Sequence, residues 1–316
     1  EIAANAFANC EKLASIDLSH VKKVGSGAFS MTALEEVDLP SAEEVGDSAF
    51  MGMPSLTSVT LKGDVKIGAS AFESSEKLAT VNGIGKGTEI GSYAFAGTAL
   101  TAADLSNAVS LGDFAFAATP LTSVTLGDKL VSVGENPFAQ CKIPAFTRTE
   151  TVDFNGTKFE EETDTFTISE SVLVIDGALY TTNKLGYELV TYPAGRKDAS
   201  FIVAEGTTRI SAQACSGMTT LRGVALGSSV TGIGDKAFYG CTQLSTVTFK
   251  SLEAPILEEQ YDVNYLLLTN LPFTGSLQIS QTESVDGLGI VPYYMWNVTS
   301  MYNNFYFGAN FVDYIG

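Results

Sequence analysis

Apolar residues return along this chain at a short spacing and at a long one. The short one is a Leu-x-x-Val/Ile-x-Leu run, seen at Leu13-Ile16-Leu18, Leu34-Val37-Leu39, Leu56-Val59-Leu61, Leu121-Val124-Leu126 and Leu221-Val224-Leu226. Its last two apolar residues stand two apart, as a strand with one buried face requires. Five or six residues ahead of each run stands an aromatic pair: Ala6-Phe7, Ala28-Phe29, Ala49-Phe50, Ala71-Phe72, Ala94-Phe95, Ala115-Phe116 and Ala237-Phe238, with Pro137-Phe138 and Ala214-Cys215 as degenerate copies. The steps from Phe7 to Phe138 are 22, 21, 22, 23, 21 and 22 residues. A second apolar position ending in Gly precedes most pairs, as in Val24-Gly25, Val45-Gly46, Ile67-Gly68, Ile90-Gly91, Leu111-Gly112, Val133-Gly134 and Ile233-Gly234. Glycine there predicts a corner taken with positive φ.

One such coil cannot bury both apolar strips alone. Neighbours above and below must do so, which aligns the Phe side chains in a column. A fixed period in this range marks a leucine-rich solenoid. The expected fold is therefore a repeat solenoid of 21–23-residue leucine-rich repeats, built mostly of short parallel β-strands with short helical or 3-10 turns.

The clearest copy runs from Ile233 to Phe249, in the order Ile-Gly-x-x-Ala-Phe-x-x-Cys-x-x-Leu-x-x-Val-x-Phe. This order resembles the BspA-type leucine-rich repeat family of bacterial cell-surface proteins, which includes the treponemal subclass. The resemblance covers about residues 2–140 and 200–250. It implies a non-enzymatic cell-surface or secreted protein that mediates protein–protein interaction or adhesion to host or neighbouring cells. A glycan-binding module and a structural spacer are the alternatives.

Residues 1–140 hold about seven coils, 141–205 an irregular insert, 206–250 two further coils, and 251–316 an aromatic-rich C-terminal cap. Within the insert, Ser171 to Tyr180 reads as two strands about an Asp176-Gly177 turn. A third strand, Leu189 to Tyr192, ends at Pro193-Ala194-Gly195. Tyr180, Tyr187 and Tyr192 are either part of a hairpin that keeps the coils stacked or an aromatic contact patch. Beyond Lys250 there is no Lys or Arg, while seven carboxylates and twelve of the chain's 32 aromatics occur. Ser276 to Ser280, with Tyr293, Tyr294 and Trp296, resembles the family's closing coil, in which a strand precedes a short helix bearing Tyr and Trp. The second reading of Tyr293, Tyr294 and Trp296 is a glycan surface, since aromatic faces beside carboxylates suit sugar rings.

Charge narrows the partners. At a formal −18 the chain disfavours a nucleic-acid backbone or an anionic membrane surface. The partners that the resemblance implies are a protein or glycan on a host or neighbouring cell, and no nucleic acid and no membrane insertion by these residues are expected. The first residues, Glu1 to Phe7, begin inside a coil, so a targeting segment is expected to lie outside this sequence.

Catalytic chemistry finds few candidates. His20 is the single histidine; it excludes paired-histidine zinc sites, and no Ser or Cys partner is visible beside it. Cys10, Cys141 and Cys241 each stand three residues after a repeat Phe, and Cys215 replaces a Phe, so all four are expected as small buried hydrophobes without disulfides. No metal, cofactor or catalytic residue is expected. Outward positions on the strands (Ser15, Asp17, Glu36, Asp38, Ser58, Thr60, Thr80, Asn82, Asp104, Ser123 and Thr125) should form a small, polar, acidic surface.

Overall fold

The computed structural model describes residues 1–84, 87–154 and 157–250, and beyond them the backbone of three two-residue strands, Ile256–Leu257, Leu277–Gln278 and Met295–Trp296. The chain divides into two compact units, one of residues 1–181 with 190–195, the other of residues 182–189 with 196–316.

In the first unit most coils contribute two strands, called long and short after their usual lengths; the expected strand at Leu13-Ile16-Leu18 in the first coil does not form. The short strands Lys23–Val24, Glu44–Val45, Lys66–Ile67, Thr88–Ile90, Ala108–Leu111 and Ser132–Val133 form a six-stranded sheet, in which each pairs in parallel with the next. The long strands Glu36–Leu39, Ser58–Leu61 and Thr80–Asn82 form a second parallel sheet, and Ala102–Leu105 with Ser123–Leu126 a third. Register follows the repeat: Val37 faces Val59 and Val59 faces Val81. The alternation of Glu36-Val37-Asp38-Leu39 sends the apolar residues inward and the acidic ones to solvent.

Between the two strands lies the Gly-x-x-Ala-Phe segment. The helical or 3-10 turns expected there do not occur among the described residues. The reason is backbone chirality: the residue two before Phe is left-handed in Asn5, Gly27, Ser48, Ser70, Tyr93, Phe114 and Asn136, and the residue two after Phe is left-handed again in Asn9, Met31, Gly52, Ser74, Gly97, Ala118 and Gln140. Two left-handed residues four apart cannot propagate a right-handed helix. They turn alternate N–H groups toward the next coil instead. Ser48, Phe50 and Gly52 donate to the carbonyls of Ala69, Ala71 and Glu73, each at 2.8 Å.

The glycines require a correction. Gly46, Gly68, Gly91, Gly112 and Gly134 do not have positive φ; a Cβ on any of them would meet the backbone of the preceding coil at 2.3–2.7 Å, or in Gly68 and Gly134 that backbone and an Asp side chain at 2.2–2.6 Å. Glycine is there because two backbones touch.

The core is the phenylalanine column. Phe29, Phe50, Phe72 and Phe95 are fully buried. Consecutive rings from Phe7 to Phe116 lie 5.2–5.3 Å apart and within 13° of parallel. That separation is close to the strand spacing of about 4.8 Å, so sheet pairing and ring stacking share one repeat. Three residues after each Phe stands a small or polarizable residue, and several of these satisfy backbone groups of the turn. Thr98 and Thr119 donate to the carbonyls of Phe95 and Phe116, and Ser75 to that of Phe50.

The expected Asp176-Gly177 hairpin is present: Val172–Ile175 pairs antiparallel with Ala178–Thr182, with both turn residues at positive φ. A second hairpin, Arg148–Phe154 with Thr157–Thr163, was not expected. In the second unit, Tyr187, Glu188 and Leu189 pair in parallel with Thr207, Arg209 and Ile210, Thr207–Ile210 pairs in parallel with Gly232–Ile233, and Ser200–Ile202, Gly223–Leu226 and Thr246–Phe249 form the companion sheet. There Cys241 takes the role of Ser75, its thiol donating to the carbonyl of Cys215 in the preceding coil at 3.0 Å.

Candidate binding surface

Three faces of the first unit carry side chains to solvent, and the coil repeat puts each in register. On the long strands, Glu36, Ser58 and Thr80 line up across neighbouring strands, as do Asp38, Thr60 and Asn82. This is the polar, acidic row predicted above. Hydrogen bonds between coils come from the position before the strand, where Thr57 Oγ1 donates to the carbonyl of Glu35 at 3.0 Å and Thr122 Oγ1 to that of Thr101 at 3.2 Å.

The short strands carry a ladder of alternating sign, in which Lys23, Glu44, Lys66 and Glu89 face one another in turn. Lys23 Nζ lies 3.1 Å from Glu44, and one position earlier Lys22 Nζ lies 2.8 Å from Glu43. The Lys22 hydrogen bond lowers the Glu43 carboxyl below its ordinary range, and the Glu43 bond raises Lys22 in turn. Both pairs are exposed, so they orient the face more than they stabilise the fold.

The turns form the third face. Asp47 Oδ1 accepts the N–H of Ala69 at 2.8 Å, and Asp113 Oδ1 that of Glu135 at 2.8 Å, which ties consecutive turns together. On this face Tyr93 stacks on Phe114 with ring centroids 5.3 Å apart and an angle of 27°. Tyr93 is 42% exposed, whereas Phe114 beneath it is 8% exposed. Burial raises the Tyr93 hydroxyl above its ordinary pKa, and the charges of Asp113, Glu73 and Glu135 add to the effect.

The residues singled out in the sequence are placed differently. Tyr180 and Tyr192 are 3% and 4% exposed, and Tyr187 is half-buried. Ala178, Leu179 and Tyr180 are buried in succession, as are Val190, Thr191 and Tyr192, so these strands are covered on both faces. A contact patch at the hairpin would have to be built from other side chains. Tyr293 and Tyr294 lie outside the described residues. Of Trp296 the backbone is described: it stands in a strand paired antiparallel with Leu277–Gln278, rather than in a short helix.

His20 is exposed and its Nδ1 lies 2.7 Å from the Ser19 hydroxyl, a local contact at the end of the first long run. All four cysteines are free. Cys141, Cys215 and Cys241 are buried as expected, but Cys10 is exposed. Among the described residues no cluster of His, Cys, Asp and Glu is arranged to hold a metal ion, and no helix is long and apolar enough to cross a membrane.

Sequence reading missed Tyr93 and Phe114. The signal was available: elsewhere their position in the repeat holds Asn5, Gly27, Ser48, Ser70, Asn136, Gln213 and Lys236, all small, polar or charged.

Stacked parallel coils, a buried phenylalanine column and glycines at backbone contacts define a leucine-rich repeat protein. The family described as BspA type leucine rich repeat region matches six copies, over residues 1–110, 88–192 and 196–310, and the chain belongs to this family. Two solved structures are similar in fold. One is a leucine-rich cell surface protein from Faecalibacterium prausnitzii, 24% identical, with a TM-score of 0.53 over 78% of this chain and 64% of the other. The second is a leucine-rich repeat protein from Eubacterium ventriosum, 19% identical, with a TM-score of 0.50 over 69% of this chain and 61% of the other. The chain thus spans just under two thirds of the length of either. Comparison with curated protein sequences gives no match.

Proposed function

We propose that the protein is a non-enzymatic, cell-surface or secreted interaction protein that adheres through its repeats to a protein on a host or neighbouring cell. The observation that carries this reading is the register of its exposed side chains. Positions 22 or so residues apart are brought to one strand spacing, which makes rows of solvent-facing groups on a scaffold whose backbone groups are already paired. Such a surface suits a broad, shallow contact with another macromolecule. Surface display is supported by the family and by the Faecalibacterium structure, itself described as a cell surface protein.

The test compares the chain with a variant carrying Glu36→Lys, Asp38→Lys and Tyr93→Ser, each at an exposed site, for retention of purified matrix and plasma proteins. Retention of at least one protein by the parent, with at least tenfold weaker retention by the variant, supports the reading. Retention of glycans alone would move the function to the aromatic residues Tyr293, Tyr294 and Trp296.

A further inference from the structure

Tyr93 and Phe114 hold φ of 58° and 54°, in the left-handed region that bulky side chains avoid. Seven other coils fill that position with Asn, Gly, Ser, Gln or Lys. A strained aromatic residue that remains at the surface, as Tyr93 does, points to a role for the side chain itself. Here the rings form a two-layer platform, with the buried Phe114 supporting an exposed Tyr93.

The charge around the platform has one sign. The five turn segments 46–52, 68–74, 91–97, 112–118 and 134–140 contain Asp47, Glu73, Asp113 and Glu135 and no Lys or Arg. Backbone hydrogen bonds fix the platform among them: Tyr93 N–H donates to the Asp113 carbonyl and Phe114 N–H to the Glu135 carbonyl, each at 2.9 Å. The negative face of an aromatic ring and neighbouring carboxylates favour the same occupant, a cation. An anionic ligand would be repelled, and a neutral sugar would gain no charge attraction from the carboxylates.

We propose that Tyr93, supported by Phe114 and flanked by Glu73 and Asp113, is a docking point for an Arg- or Lys-bearing segment of a protein partner. The proposal deepens the interaction reading above and rests on it. The guanidinium or ammonium lies over the Tyr93 ring, and the carboxylates complete its hydrogen bonds.

The probe is a fluorescein-labelled peptide of alternating Arg and Gly, titrated against the full chain by fluorescence anisotropy, beside the same peptide with citrulline in place of Arg. Tyr93→Ser installs the residue that Ser48 and Ser70 already hold at this turn position, so the fold is kept. It also leaves net charge unchanged, so general attraction to a chain of −18 does not move. The expected result is preference for the Arg peptide, a loss of roughly two- to thirtyfold in Tyr93→Ser, and retention in Tyr93→Phe. Glu73→Gln weakens binding and flattens its dependence on salt. Equal binding of the Arg and citrulline peptides, or equal binding by Tyr93→Ser and the parent, overturns the proposal. If a protein ligand is found whose affinity is unchanged in Tyr93→Ser, this docking point falls while the interaction reading stands.

Discussion

Phe72→Ala is the most informative single perturbation of the fold. Phe72 is fully buried and stacks on Phe50 at 5.3 Å and 2°, and on Phe95 at 5.2 Å and 5°. Truncation removes a ring from two coil interfaces at once, and the backbone pairing on both sides resists collapse of the space. Phe→Ala at such a site costs about 3–5 kcal/mol. Phe7 is the matched control. It belongs to the same column but is half-buried and stacks on one ring, Phe29, at 5.2 Å. Its truncation should cost about 1–2 kcal/mol. With a urea slope of about 2 kcal/mol per M, the two variants separate by about 1 M in midpoint, followed by far-ultraviolet circular dichroism. If Phe72→Ala shifts the midpoint no more than Phe7→Ala, the stability of this unit does not reside in the column and nearest-neighbour stacking of coils is the wrong description.

Other consequences are open to direct test. Gly91→Ala places a Cβ 2.6 Å from the Gly68 carbonyl carbon and should cost roughly 1–3 kcal/mol, whereas Gly227→Ala, with nothing within 4 Å, should be near neutral in the same urea assay. Asn136→Ala removes the acceptor of a 2.6 Å hydrogen bond from the buried Thr191 hydroxyl, at an expected cost of about 1–3 kcal/mol. A thiol reagent at pH 8 should modify one cysteine in the folded chain, the exposed Cys10, and four after denaturation. Burial raises the thiols of Cys141 and Cys241 from 9.0 to about 11. Being raised in the fold, they contribute stability that is fully present below pH 9 and lost as pH climbs toward 11, so replacing Cys141 by Ser should flatten that alkaline decline in a midpoint-against-pH series.

Much of the fold was legible because a residue type and a spacing have a single physical cause there. Ala-Phe every 21–23 residues has no explanation except a stacked column, and Val37-x-Leu39 none but a one-sided strand. The glycines were harder. Positive φ and close backbone approach both demand the absence of a Cβ, so Gly46 and Gly91 look alike under either cause, and only geometry separated them. The left-handed positions were hidden for the converse reason, being filled by Ser48, Tyr93, Gln213 and Lys236, which announce no special φ. Tyr180 and Tyr192 suit a surface patch by type; Ala178-Leu179-Tyr180 is an apolar run that suits a strand covered on both faces, but Thr191 interrupts the run before Tyr192, and the burial of Tyr192 showed only in the structure. The hairpin of Arg148–Phe154 and Thr157–Thr163 had its own signal in Asn155-Gly156, overshadowed by the lapse of the 22-residue period. Tyr93 gave the weakest signal. It becomes visible only when the coils are aligned and one column is read down, where an aromatic stands among small residues.

The measurement that bears most directly on the account is a screen of the intact chain against two arrays, one of immobilised matrix and plasma proteins and one of glycans, at low and at high salt. The account predicts a protein ligand whose capture weakens at high salt, as contacts through Asp38, Glu73 and Asp113 require. Capture confined to glycans, or protein capture unmoved by salt, would contradict it.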